Sequence, residues 1–285
     1  MLAFGSMEAA GKSAEPVRAR SEWLAMREPA DAAARAPELV EEIRPYLATD
    51  GATEIHDLGC GTGSMARWLA AQLTGPQRWV LYDRDAELLT VAAAEPPDEA
   101  SDGAPVTIET RRRDITRLNP EELAGAALIT ASALLDMMTA EQLHRLVATC
   151  AGAGCAALIT LSVTGRVDLT PVDPLDQCVA AAFNAHQRRT TGAGRLLGPD
   201  AVSAAVDSFT RLGLDVEVRP SPWRLGRGHT VLTAEWLTGW LGAACEQRPE
   251  LGAATHSYAR RRLADAAAGR LSVTVHHQDL LARPR

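Results

Sequence analysis

The chain has 285 residues, 46% of them hydrophobic, and 36 acidic against 29 basic side chains leave a net charge of −7. That length supports one large α/β domain or two small ones with a sizeable core, and the acidic balance argues against a nucleic-acid-binding surface. No apolar run reaches the roughly 18 residues of a membrane helix, no basic-then-apolar leader opens the chain, and the cysteines at 60, 150, 155, 178 and 245 show neither C-x-x-C nor zinc spacing. A cytoplasmic protein with reduced thiols, no membrane partner and no metal site is the expectation. Lys12 is the only lysine among the 29 basic residues, which reflects genomic base composition and not a binding surface.

Residues 1 to about 16 are small and unpatterned, and Met1 to Ser6 reads as an added segment before a native start at Met7. From Ala14 to Tyr46 the pattern is helical, with breaks expected at Pro29 and Pro37, and with Trp23, Leu24, Leu39, Val40, Ile43 and Leu47 as its apolar positions. Then Ile55 to Leu58 forms a short strand that stops at glycine. Met65, Trp68, Leu69 and Leu73 recur at helical spacing until Gly75-Pro76. Between strand and helix stand Gly59, Gly61 and Gly63. Their backbone N–H groups can approach a ligand that a Cβ would block, and the helix start beyond them suits an anion.

Spacing discriminates between ligands. The dinucleotide fingerprint G-x-G-x-x-G needs glycine at 64, where the chain has Ser64. The actual run, Asp57-Leu58-Gly59-Cys60-Gly61-Thr62-Gly63, resembles motif I of the class I S-adenosylmethionine-dependent methyltransferases. Ordered motifs carry this resemblance over residues 51 to 165, and only a strand pattern extends it over 198 to 283. It implies S-adenosyl-L-methionine as cofactor, an α/β fold with a Rossmann-like doubly wound seven-stranded sheet whose last strand is antiparallel, and a helical N-terminal segment covering the cofactor. Arg27 in that segment is within the expected reach of the methionine carboxylate, with a solvated arginine beside a helix break as the plain alternative.

Downstream, Arg78 to Asp83 is a second strand ending in an acid 20 residues beyond Gly63. An acid there accepts hydrogen bonds from a ribose diol, the role the resemblance gives Asp83, with Arg84 beside it. A helix over Ala86 to Ala94 and a third strand over Val106 to Thr110 follow. The resemblance places Asp114 against the adenine amino group and the Ile115 N–H against the ring. Arg111-Arg112-Arg113 reads as a solvated strand edge. Ala126 to Ser132 is a fourth, buried strand, and Ser132 at its tip joins Cys60 and the glycines among the implied cofactor residues. The loop beyond lacks the Asn/Asp-Pro-Pro-aromatic tetrad of nucleic-acid amino methylation. Asp136 is the acid closest to the expected reacting centre and a candidate general base.

Thr139-x-x-Gln142 is a capping box for a helix over Leu143 to Cys150, and Ala156 to Val163 is a fifth strand. Beyond Thr164 the strand–helix rhythm is expected to break. Asp173-Pro174 opens a helix with Leu175, Val179, Phe183 and His186 on one face, and Arg188 to Gly192 closes it. His186 is a second pocket candidate, against the alternative of a satisfied core histidine. A further helix carries Val202, Val206, Phe209 and Leu212. Leu214 to Val218 is a sixth strand, Pro220 to Trp223 an exit loop, and Leu271 to Leu280 a seventh strand. Consecutive His276 and His277 point to opposite faces of that strand. His56, mid-strand where an apolar residue is usual, is expected to hydrogen-bond across the core.

The predicted organisation is a helical cap over 1–50 and a methyltransferase core over 51–285, with helical insertions near 166–198 and 226–269. The second insertion is long enough to cap substrate or to build a homodimer. The predicted function is methyl transfer to a small-molecule acceptor by in-line displacement. A catalytically silent S-adenosylmethionine-binding partner or sensor is the main alternative, and an NAD-dependent oxidoreductase the weaker one.

Overall fold

The computed structural model describes residues 19–47 and 51–285; the expectations for the added segment and for the helical start at Ala14 lie outside them. Apolar runs separated by short turns fold into parallel strands joined by helices, because strands buried on both faces need a helix on each side. In chain order these are β1 (Thr53–Leu58), α3 (Ser64–Ala70), β2 (Gln77–Asp83), α4 (Ala86–Ala94), β3 (Val106–Arg112), β4 (Leu128–Ser132), α5 (Ala140–Ala153) and β5 (Ala156–Thr170), preceded by α1 (Ser21–Ala34) and α2 (Glu38–Ile43). The capping box forms as expected: Thr139 Oγ1 accepts the Gln142 N–H, and Gln142 Oε1 accepts the Thr139 N–H.

The second half contributes α6 (Asp176–Gln187), a small hairpin of β6 (Thr190–Thr191) and β7 (Gly194–Arg195), α7 (Ala201–Arg211), β8 (Asp215–Pro220), β9 (Trp223–Leu225), α8 (Thr230–Gln247), α9 (Gly252–Ala267) and β10 (Ser272–Arg283). The main sheet runs β3-β2-β1-β4-β5-β10-β8, with β9 also on β10. Strands β1 to β5 pair in parallel, and β10 is antiparallel to β5, β8 and β9. This is the seven-stranded, doubly wound sheet with an antiparallel last strand that the resemblance implies. One core lies between β4, α5 and α7, and a second between β1, β2, α2 and α3. A third packs α1, α6, α8 and α9 with Trp223, Trp236 and Trp240.

Several local expectations are corrected. Helix α1 runs through Pro29 without a break, because Trp23, Arg27, Ala30 and Asp31 share its buried face and that burial outweighs one missing hydrogen bond. Strand β5 continues to Thr170 and does not end near Val163, since β10 pairs along it across two register shifts. At the shift, Leu161 adopts a left-handed φ of 56°, and Asp279 Oδ1 accepts its N–H at 2.7 Å. The same carboxylate accepts the Ala36 N–H at 2.9 Å and the Ser221 hydroxyl. Trp223 belongs to β9, not to a loop, and Leu212 is 52% exposed, off the apolar face of α7. The segment closing α6 is not simply a helix end, because it turns back as the β6–β7 hairpin. His56 does bond across the core, lying 2.8 Å from Glu54 Oε1 through Nε2 and 3.2 Å from the Tyr82 hydroxyl through Nδ1.

Candidate functional site

In a doubly wound sheet, ligands sit outside the carboxyl ends of the strands where the winding reverses. Here that point lies between β1 and β4, and a cavity of about 730 Å³ opens there. Its walls come from the loops after β1, β2, β3 and β4, from α1 through Trp23, Leu24, Arg27 and Asp31, and from the β6–β7 hairpin. The four strand tips converge because parallel strands in register end at one edge.

The glycine turn differs from expectation in how it spends its donors. The Gly59 and Cys60 N–H groups both donate to the Tyr82 carbonyl, Gly63 N–H donates to the Cys60 carbonyl, and Gly61 N–H donates to Asp83 Oδ2 at 3.0 Å. These amides hold the turn and the Asp83 carboxylate in place, so none is left for a ligand anion. Glycine is needed for the path itself: φ is 56° at Gly61 and 83° at Gly63, the left-handed residue that starts α3. Gly59, Cys60 and Gly61 line the cavity, whereas Gly63 does not. Cys60 is buried, and burial raises its thiol well above the ordinary range, so it is an inert wall.

Polar groups of opposite kinds face this space. Asp57 is 1% exposed, and its Oδ1 accepts the Thr130 hydroxyl at 2.7 Å while Oδ2 has no partner. Burial pushes its carboxyl up to about 7, against the Thr130 hydrogen bond and the nearby Arg35 charge. Arg27 is 3% exposed, pairs with Asp31 at 2.8 Å, stacks over Trp223 and leaves Nε without a partner. Asp83 uses one oxygen for Gly61 and the other for the Asp85 N–H at 2.9 Å, yet a carboxylate retains further lone pairs. Asp114 caps a 3-10 turn by accepting the Thr116 N–H, and it sits at the cavity rim with Ile115 and Arg84. Ser132 accepts from the buried Arg35 at 3.2 Å and from Thr160 at 3.0 Å. Next to it Ala133 holds a left-handed φ of 53°, a local strain of the kind found where a loop must be aimed. Leu134 is thereby set against Gly59: a Cβ on that glycine would stand 3.2 Å from its Cδ2.

Of the residues singled out from sequence, Arg27, Asp57, Gly59, Cys60, Gly61, Asp83, Arg84, Asp114, Ile115 and Ser132 share this one cavity. The two catalytic candidates do not. Asp136 is 3% exposed and turned behind the wall, where Gln187 Nε2 approaches its Oδ2 at 3.5 Å; its neighbours Met137 and Met138 line the cavity instead. A 3-10 turn over Leu135–Met137 rotates the acid inward. His186 is 6% exposed between α6 and α8, 3.2 Å from Glu246 Oε2. Burial and the Arg189 charge lower its pKa. Sequence reasoning missed Trp23, Asp31, Met138, Gln142 and the hairpin residues Arg189 to Ala193. The hairpin had a signal, since Thr191-Gly192-Ala193-Gly194 is turn chemistry between short extended pairs.

Sheet order, glycine turn and convergent strand tips define the class I, S-adenosylmethionine-dependent methyltransferase fold. Residues 55–154 match the family described as "Methyltransferase domain". No curated protein matches the sequence. Among solved structures the chain is similar to a mycolic acid cyclopropane synthase bound to SAH and CTAB, at 12% identity and a TM-score of 0.46, covering 86% of this chain and 83% of that one. It is also similar to a SAM-dependent methyltransferase from Geobacter sulfurreducens in complex with S-adenosyl-L-homocysteine, at 17% identity and a TM-score of 0.42, covering 93% and 99%. The cyclopropane synthase MmaA2 from Mycobacterium tuberculosis gives 13% identity, a TM-score of 0.45, and 86% and 83%.

Proposed function

We propose that this cavity holds S-adenosylmethionine and transfers its methyl to a small-molecule acceptor beneath the β6–β7 hairpin. One observation carries the reading: two residues lining the cavity each leave a buried polar atom unused, an acceptor at Asp57 Oδ2 and a donor at Arg27 Nε. A zwitterionic amino-acid end supplies the complement to both, its ammonium to Asp57 and its carboxylate to Arg27. Asp83 then accepts from the ribose diol with its remaining lone pairs. Leu88, Ile115 and Leu134 flank the adenine, with Asp114 and the Ile115 N–H at its edge, and Arg84 borders the ribose.

Bound there, the cofactor supplies an electrophilic methyl on a sulfonium, and displacement by an acceptor lone pair leaves a neutral thioether. The chain's share is alignment and exclusion of water, which can be worth about 7–11 kcal/mol. No His, Tyr, Lys or Glu is among the described lining residues. The cavity's 730 Å³ lies within the range of about 300–1,000 Å³ typical of small-molecule sites.

Isothermal titration with S-adenosylhomocysteine tests this. Asp83→Ala, which removes the acceptor of the ribose and the anchor of Gly61, is expected to weaken binding about 100-fold, two charge-assisted hydrogen bonds' worth. Wild-type affinity in that variant, or stabilisation of the protein by NAD and not by S-adenosylmethionine, would refute the assignment.

A further inference from the structure

The acceptor's side of the cavity carries its own electrostatic signature. The β6–β7 hairpin is seated on the loop after β4: the Leu197 N–H donates to the Met138 carbonyl at 2.8 Å, Leu196 pairs with Thr139, and the Leu196 N–H donates to the Arg189 carbonyl at 3.1 Å. Arg189, at the root of this hairpin, lines the cavity with Thr190 and Thr191, opposite in sequence and structure to the aspartate-bearing strand tips.

Arg189 differs from Arg27 and Arg113 in its company. Arg27 is paired with Asp31 at 2.8 Å, and Arg113 reaches Glu122 at 3.5 Å. Arg189 Nη1 donates to the His186 carbonyl at 3.1 Å and lies 3.5 Å from His186 Nδ1. No carboxylate among the described residues comes within 4.0 Å of it. One contact is to a neutral carbonyl, and the imidazole beside it is held towards its uncharged form, so neither balances the guanidinium. Its Nε and Nη2 take no hydrogen-bond partner among the described residues, and Arg189 lines the cavity, so donors remain for an occupant.

Resting on the methyl-transfer reading above, we propose that Arg189 receives the carboxylate of the acceptor, so that the enzyme's substrates are small monocarboxylates. One guanidinium matches one negative charge, and the fork fits two carboxylate oxygens. A phosphate monoester would bring a second charge into a cavity already lined by Asp31, Asp57, Asp83, Asp85 and Asp114.

The test uses protein saturated with S-adenosylhomocysteine and titrated with isosteric pairs: benzoate and benzamide, phenylacetate and phenylacetamide, hexanoate and hexanamide, with phenyl phosphate as a separate arm. At least one acid is expected to bind about tenfold more tightly than its amide, the effect of a charge-assisted pair. In Arg189→Gln that preference falls below about twofold, and Arg189→Lys, which keeps charge without the fork, recovers part of it. S-adenosylhomocysteine affinity stays at the wild-type level in both variants. Acids that bind no better than their amides, phenyl phosphate binding tighter than every acid, or an unchanged preference in Arg189→Gln would overturn the proposal. Failure of the wild type to bind S-adenosylhomocysteine would instead sink the methyl-transfer reading itself, so the two failures are distinct.

Discussion

The strand tips and the helical layer of α6, α8 and α9 both bury charge, but they use it differently. In the helical layer the charges close on one another. Arg262 Nη2 donates to Asp176 at 2.5 and 2.6 Å, its Nη1 donates to the Pro171 carbonyl at 2.5 Å, and the Tyr258 hydroxyl donates to Asp176 Oδ1 at 2.6 Å. Arg262 Nε is left over there, but away from the cavity; Asp57 at the β1 tip and Arg27 on α1 each keep an atom back in the cavity wall itself. A buried polar atom without a partner costs stability, so its presence in a cavity wall marks where a ligand's polar groups are met.

Three experiments probe this contrast. Arg262→Met leaves Asp176 buried without its counter-charge, and is expected to cost about 3–5 kcal/mol of stability, read by urea denaturation. An intact fold at unchanged midpoint would show that the helical layer does not depend on its internal pairing. Asp136→Asn should cost about 1–3 kcal/mol through its contact with Gln187, while cofactor affinity and methyl transfer to a carboxylate substrate stay within about twofold. Loss of transfer at full stability would restore Asp136 as a base. The smallest effect concerns His277, which burial, together with the Arg27 charge, pushes down to about 3. Its unfolded value is about 6.5, so between those limits the unfolded chain binds a proton that the folded chain refuses. Stability therefore falls as pH drops from 7 towards 3, with a slope of at most about 1.4 kcal/mol per unit. Asp57, raised to about 7, acts in the opposite sense and loses stability as pH rises from about 4 through 7. The difference in Tm between wild type and His277→Gln across pH 4.5–7 isolates the histidine; parallel curves would contradict its burial in neutral form.

Legibility followed the same division. Strand β1, the glycine turn and α4 were readable because local pattern and tertiary role agree: Ala86–Ala94 forms as its periodicity predicts. The places of Asp83 and Asp114 on the cavity wall were readable because their spacing from the glycines is dictated by one strand–helix–strand unit. Asp136 and His186 lie off the cavity for a different reason. Their chain positions place them near the pocket, but a single 3-10 turn or a helix rotation decides which way a side chain faces. Pro29 misled because propensity is a weak prior beside the burial of Trp23 and Arg27. The length of β5 is set by its pairing with β10, 100 residues later, which no local pattern encodes.

Asp279 ties three distant stretches of chain with one carboxylate: the end of α1 at Ala36, the bulge at Leu161 and the entry to β9 at Ser221. All three lie outside residues 55–154, as does Asp279 itself. A fragment trimmed to the matched segment would thus keep the glycine turn and Asp83 yet forfeit α1, with Arg27 and Trp23, together with the carboxylate that latches its end. Domain boundaries drawn by sequence likeness and the boundary of the working pocket do not coincide in this molecule.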